Sequence, residues 1–214
     1  MTAVSARRRT QRGNTMLDSA LCFLPMMAMF FGIIDVCYAV SIQSLFSQAV
    51  RAASRWAVTY TSTYDGATCT SQAACTAQVV VDNAVGFLSA NSSYIVVNYY
   101  IPPNLTTPVM SCSAGTCTAS TTVLLPYTYT ATTVSGNSTS TTSVTINYPN
   151  QPGNIVEVTI PAYPFLWMVP IKGFSAGSQV TNASGQTGLG LTLSADALDV
   201  LGGLQVGTSI PPSP

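Results

Sequence analysis

A long apolar run, Ala20–Val40, constrains this chain more than any other feature. Its 21 residues, ALCFLPMMAMFFGIIDVCYAV, carry one charge, Asp35. A helix rises about 1.5 Å per residue, so a run of this length covers roughly the 30 Å core of a bilayer. Arg7, Arg8, Arg9 and Arg12 precede it. The basic side of a membrane helix stays in the cytoplasm, which places the rest of the chain outside. The helical pattern does not stop at Val40. Ile42, Leu45, Phe46, Ala49, Val50, Ala53, Trp56 and Ala57 recur at i, i+3, i+4 spacing, while Ser44, Ser47, Gln48, Arg51 and Arg55 take much of the other face. The expectation is a membrane helix that runs on as an amphipathic stalk, a part suited to helix-to-helix assembly. A secretory signal peptide would share the basic start, but its apolar region is shorter and ends at a small-x-small cleavage site, which Ala39-Val40-Ser41 matches only weakly. A plain single-pass anchor explains the arginines and the apolar run but not the placing of Gly13 and Asp18.

The remainder of the 214-residue chain is long enough for one outward domain with its own core. Six of the seven basic residues lie at or before Arg55. From Trp56 onward there is one lysine against five carboxylates, a net of −4, so the domain has no basic patch and nucleic-acid binding is not expected. Ser, Thr, Asn and Tyr supply its polarity, as suits an exported, β-rich domain. Two of the six cysteines, Cys22 and Cys37, fall in the apolar run and read as small apolar filler. The others lie outside in close pairs, Cys69 with Cys75 and Cys112 with Cys117, which suggests disulfides. Of the three possible pairings the local ones are preferred, the second closing a hairpin around Ser113-Ala114-Gly115-Thr116.

The chain has no histidine, and the cysteine spacings are wide of a zinc knuckle, so neither a metal nor a cofactor is expected. Ser-His-Asp and Cys-His catalysis are impossible, and the chain does not read as an enzyme. Asp196 and Asp199, three apart, would share a solvated helix face in preference to forming a catalytic or calcium pair. Gly188-Leu189-Gly190 is too short, and too far from any basic residue, to cradle phosphate.

The pattern predicts an α+β protein: a basic leader over 1–13, a transmembrane and stalk helix over 14–60, and an extracytoplasmic domain over 61–214. Residues 61–72 read as a turn-rich linker. A second helix follows, with Ala77, Val80, Val81, Ala84, Val85 and Leu88 on one face and Asn91 marking its end. Strands are expected at 94–101, stopped by Pro102-Pro103, and at 123–130, 143–148 and 155–160. The last two read as a hairpin across the Pro149–Gly153 turn. The Ser/Thr-rich stretch 118–145 reads as exposed strands in preference to a disordered stalk. The apolar segment AYPFLWMVP, 162–170, reads as a loop packed on the core or the stalk helix, with membrane-surface contact or partner docking as the alternatives. Leu191, Leu193, Ala197, Leu198 and Leu201 mark one strand or short helix.

Gly13 and Asp18 remain. A small residue after basic ones, a carboxylate five residues on and then a long apolar helix form the layout of a prepilin-type processing site. Cleavage after Gly13 would leave Asn14 with an ammonium in a low-dielectric helix bundle, where an unpaired charge is expensive. A carboxylate one turn along can pair with the ammonium of a neighbouring subunit and fix the axial register. The alternative is that Asp18 is simply a helix-start acid, favourable to the macrodipole.

Arg12-Gly13, Asp18-Ser19-Ala20-Leu21, Pro25, Phe31-Gly32-Ile33-Ile34-Asp35 and the helix from Ala49 to Ala57 resemble the N-terminal half of TadE-like proteins, minor pilins or pseudopilins of the bacterial tight-adherence (Flp-type) pilus system. The resemblance covers residues 8–57. Asp18 stands where that family usually has Glu, and Ser19 where it has Phe. The resemblance implies a pilin-like α+β fold, a long N-terminal helix followed by an antiparallel sheet with one packed helix. It implies a structural role in pilus assembly from the bacterial inner membrane, with a prepilin peptidase, other pilins and an assembly platform as partners. The rival is a single-pass, membrane-anchored extracytoplasmic binding protein that does not polymerise.

Overall fold

The computed structural model describes residues 4–59, 61, 63–89, 92–114, 116–119, 127–135, 138–146, 149–168, 178–182 and 184–202. Helix α1, Val4–Ala57, is the longest element and passes through Pro25 without ending. Proline removes one i→i−4 hydrogen bond, a loss that membrane helices tolerate. Along the described side chains, α1 changes character near Val40. Leu21, Leu24 and Met26 are 72%, 73% and 67% exposed. Asp35 and Ala39 are buried, then Ile42, Phe46, Ala49, Val50, Ala53, Ser54 and Ala57. Steps of three and four residues draw these into one stripe down one side of the helix. Leu45 and Trp56, expected on that face, lie half-buried at its margin.

The chain divides into two compact units, Met1–Ser41 with Phe165–Leu191, and Ile42–Pro164 with Thr192–Pro214. In the second unit, Asp65 and Gly66, both at positive φ, turn a small hairpin between β1, Thr63–Tyr64, and β2, Ala67–Thr68. Asp-Gly is the dipeptide such a two-residue turn favours, so the expected linker is a hairpin. Helix α2, Gln72–Asn83, starts where the Ser71 side chain accepts the Ala74 N–H at 3.1 Å. It ends before Val85 and Gly86, at φ 51° and 84°, well short of Asn91, which lies outside the described residues. Of the expected inner face, Val80, Ala84 and Leu88 are buried but Val85 is 70% exposed; Ala73, Cys75 and Val79 are buried as well.

Six further strands form one sheet in the order β5-β4-β3-β8-β10-β9. These are β3 Val96–Tyr100, β4 Met110–Ser113, β5 Thr116–Ala119, β8 Ile155–Leu166, β9 Ser178–Thr181 and β10 Thr187–Val200. In β3 and β8, Val97 lies opposite Val158 and Tyr99 opposite Val156, and all four are buried. The alternation of β8 slips at Pro161 and Ala162, both exposed, so the strand continues through the segment read as a loop. Tyr163 then meets Phe46 of α1 at 5.0 Å between ring centroids, and Phe46 also meets Phe87 at 6.5 Å. The Gln43 amide donates to the Ser194 carbonyl on β10. Leu193, Ala195 and Ala197 of β10 are buried and Ser194, Asp196 and Leu198 exposed, so the last apolar segment is a strand. Positions three apart on a strand take opposite faces, which separates Asp196 from Asp199 and corrects their expected sharing of a helix face.

The remaining strands, β6 Tyr127–Ser135 and β7 Ser138–Ile146, pair with each other over nine residues. The expected hairpin between 143–148 and 155–160 is therefore not formed: β7 pairs with β6, and β8 with β3. A two-residue connection closes with less chain entropy than the longer one after Ile146. Gly136 and Asn137, and residues 123–126 of the expected strand, lie outside the described residues.

A buried polar chain fixes the stalk's outer end. The Gln72 amide donates to the Ala57 carbonyl at 2.6 Å, and Asn150 Nδ2 donates to Gln72 Oε1 at 2.8 Å. Ala57 is the last residue of α1, where carbonyls have no helical partner. Elsewhere on the sheet, the Tyr100 hydroxyl (2.7 Å) and Asn98 Nδ2 (2.9 Å) both donate to Glu157 Oε2. Burial first, then the bond to this carboxylate, push the Tyr100 phenol up to about 12.

Two outcomes follow for stability. Phe46→Ala removes a fully buried ring and should cost about 3–5 kcal/mol in denaturant unfolding of the outer domain. Leu24→Ala, on the exposed apolar face, should leave that transition in place. A phenol whose folded pKa lies above its unfolded value of 10.0 stabilises the fold fully below pH 10 and loses that contribution as pH rises toward 12. Thermal melts between pH 9 and 12 should therefore fall more steeply for the wild type than for Tyr100→Phe.

Candidate functional site

The residues singled out for processing and assembly lie at the start of α1. Gly13 and Asn14 are within the helix, which is continuous from Val4. Asn14 and Asp18 are four apart in the helix, about 6 Å along its axis. Asp18 is exposed, and its neighbours Met16, Leu17 and Leu21 are 79%, 69% and 72% exposed. The Ser19 hydroxyl donates back to the Met16 carbonyl at 3.0 Å, a bond that keeps a small polar residue compatible with an apolar helix. A carboxylate among exposed apolar side chains is costly in lipid unless a cation comes to it or it stays at the head-group level. That arrangement suits a charge awaiting a partner from outside its own chain.

Asp35 behaves in the opposite way. Among residues 16–38 it alone is buried, at 3% exposure, and it is engaged within the fold. Its signal in the sequence was the single interruption of the apolar run, which does not by itself distinguish a buried acid from an exposed one. The two free cysteines, Cys22 and Cys37, are exposed on the helix surface.

In the outer part, Cys69 pairs with Cys75 and Cys112 with Cys117, the latter two standing opposite each other on β4 and β5. The disulfides flank a groove of about 570 Å³ between α2, the β1–β2 hairpin and the β3–β4–β5 end of the sheet. Its lining includes Tyr64, Asp65, Gln78 and Asp82. Gln78 Nε2 donates to Asp82 Oδ1 at 3.0 Å. Burial, then a hydrogen bond to Asp82, raises the Tyr64 phenol above its ordinary value. Nothing in the sequence brought these residues together, because Tyr64 and Asp65 fell in a stretch read as linker. Among the described residues no group of three or more His, Cys, Asp or Glu is placed to hold a metal ion.

Residues 13–55 of the chain match the model of the TadE-like protein family. The match begins at Gly13, contains Asp18 and Asp35, and ends two residues before α1 does. It does not extend into the sheet domain. No curated protein and no solved structure matches the chain.

Asp18→Ala is expected to leave the outer domain's thermal melt unchanged while reducing the complexes that crosslinking in cells captures through α1. Asp18→Glu should assemble normally, since it keeps the charge. Normal assembly of Asp18→Ala, with the leader shown to be cut, would mean that the acid plays no part in pairing.

Proposed function

We propose that this chain is a minor pilin or pseudopilin of a bacterial tight-adherence pilus, made as an inner-membrane precursor and cut between Gly13 and Asn14. The observation that carries the proposal is the coincidence of the family match with one continuous structural feature. Residues 13–55 are nearly the whole of α1 beyond the arginines, and they include both its exposed apolar half and its buried stripe. Residues 1–13 would be the cytoplasmic leader, 14–60 the transmembrane and stalk segment, and 61–214 the extracytoplasmic domain. A helix with Leu21, Leu24, Met26 and Met29 exposed needs lipid before assembly and other helices after it. Removal of the leader would create the Asn14 ammonium, and Asp18 of a neighbouring subunit would neutralise it one turn away. The protein's part is then structural, in initiating or anchoring the fibre, with a prepilin peptidase, other pilins and an assembly platform as its partners.

The groove between α2 and the sheet favours a second reading, an anchored binding protein that never polymerises. Its mixed lining, apolar with a few polar groups, and its volume would admit a small ligand or a peptide end. The two readings part at the N-terminus. Intact-mass analysis of protein from its native membrane should show the loss of residues 1–13. A chain that still begins at Met1 or Thr2 would contradict processing and leave the anchored binding protein as the account.

A further inference from the structure

We propose that Trp167 and Met168, together with Tyr38 of α1 and backed by the buried ring of Phe165, form an interfacial anchor that seats this end of the sheet in the outer surface of the membrane that α1 spans. The four residues lie in one compact unit. Tyr38 is the nineteenth residue of the run from Ala20, so it stands about 27 Å along the helix, at the far boundary of a bilayer core about 30 Å thick. Its ring is 43% exposed and lies 5.8 Å from that of Phe165. Phe165 in turn meets Trp167 edge-on at 5.5 Å. The aromatic row thus leads from the helix surface onto the sheet strand without a break.

The row is held rigidly. The Trp167 backbone N–H donates to the Leu189 carbonyl at 3.1 Å. A Cβ placed on Gly190 would fall 2.0 Å from the Phe165 carbonyl oxygen and 2.5 Å from Val180 Cγ2, so only glycine lets these strands close together here. The apolar surface then extends outward. Met168 is 66% exposed, and Ile34, one turn before Tyr38 on the same helix face, is 38% exposed. From Pro161 to Met168 there is no charged residue.

Lipid fits this patch better than a protein does. The exposed helix surface that it continues must meet lipid while the chain is membrane-anchored, and the Tyr38–Phe165 contact makes the two surfaces one. Tyr and Trp concentrate at the head-group level, because each presents an apolar body and one polar atom. This anchor does not depend on whether the leader is cut.

The test uses the full chain in nanodiscs of phosphatidylcholine and phosphatidylglycerol. Trp56→Phe leaves Trp167 as the single tryptophan. Lipids brominated near the top of their acyl chains should quench its emission about twofold, as expected for an indole at the interface, while aqueous acrylamide quenches it weakly. Met168→Glu should restore access to acrylamide. Should Trp56→Phe fail to fold, the difference in emission between the wild type and Trp167→Phe gives the same readout. Equal emission in brominated and plain lipid, with strong acrylamide quenching, would overturn the anchor. So would shielding of Trp167 from acrylamide that arises only when a second pilin is added, which would assign the patch to a protein partner.

Discussion

One helix has to satisfy two surroundings, and the rest of the structure follows from how it does so. Up to Val40 its apolar side chains point outward nearly all round, an arrangement that water does not support and lipid does. From Ile42 onward apolar residues occupy one stripe, and the opposite face carries Ser44, Gln48, Arg51 and Arg55. The sheet domain exists because that stripe needs a cover. Ile42, Phe46 and Val50 are at or below 1% exposure, and each contributes about 1.5–3 kcal/mol of burial that the isolated helix could not obtain.

The domain is joined to the stalk by polar bonds as well as by packing. Gln72 caps the last carbonyl of α1 and is itself held by Asn150, so the helix end, the start of α2 and the 149–154 turn are tied through one buried side chain. Gly153 and Asn154 exchange backbone bonds with Leu201, which brings the end of β10 to the same place. A buried hydrogen-bonded network specifies geometry more sharply than apolar contact alone. It gives the outer domain a fixed attachment to the helix that the proposed function places in the fibre.

The helix was the most legible part of the sequence, since its signals are long runs with a single period. The stripe from Ile42 to Ala57, the α2 region and the strands around Val97 and Val158 follow from apolar spacing. Pairing was less legible. The alternation of Val144 and Ile146 marks a strand but does not name its neighbour, and the shorter Gly136-Asn137 connection decided it. The end of α2 was hidden because Val85 and Leu88 continue the helical period across a glycine that turns the chain. Strand β8 was cut short at Pro161, where a break in alternation resembles a strand's end. The α2–sheet groove was out of reach altogether, because its lining comes from segments far apart in the chain. Gly13 and Asp18 are legible as a pattern, whereas the partner proposed for Asp18 belongs to another molecule.

The central claim, that α1 is lipid-supported in its first half and sheet-supported in its second, is tested most directly by hydrogen exchange on the full chain in nanodiscs as urea is raised. Amides of 42–57 should lose protection in the same transition as those of β3, β8 and β10, while amides of 20–38 stay protected. Protection of 42–57 that outlasts the sheet, or loss of 20–38 together with it, would contradict the division of the helix at Val40.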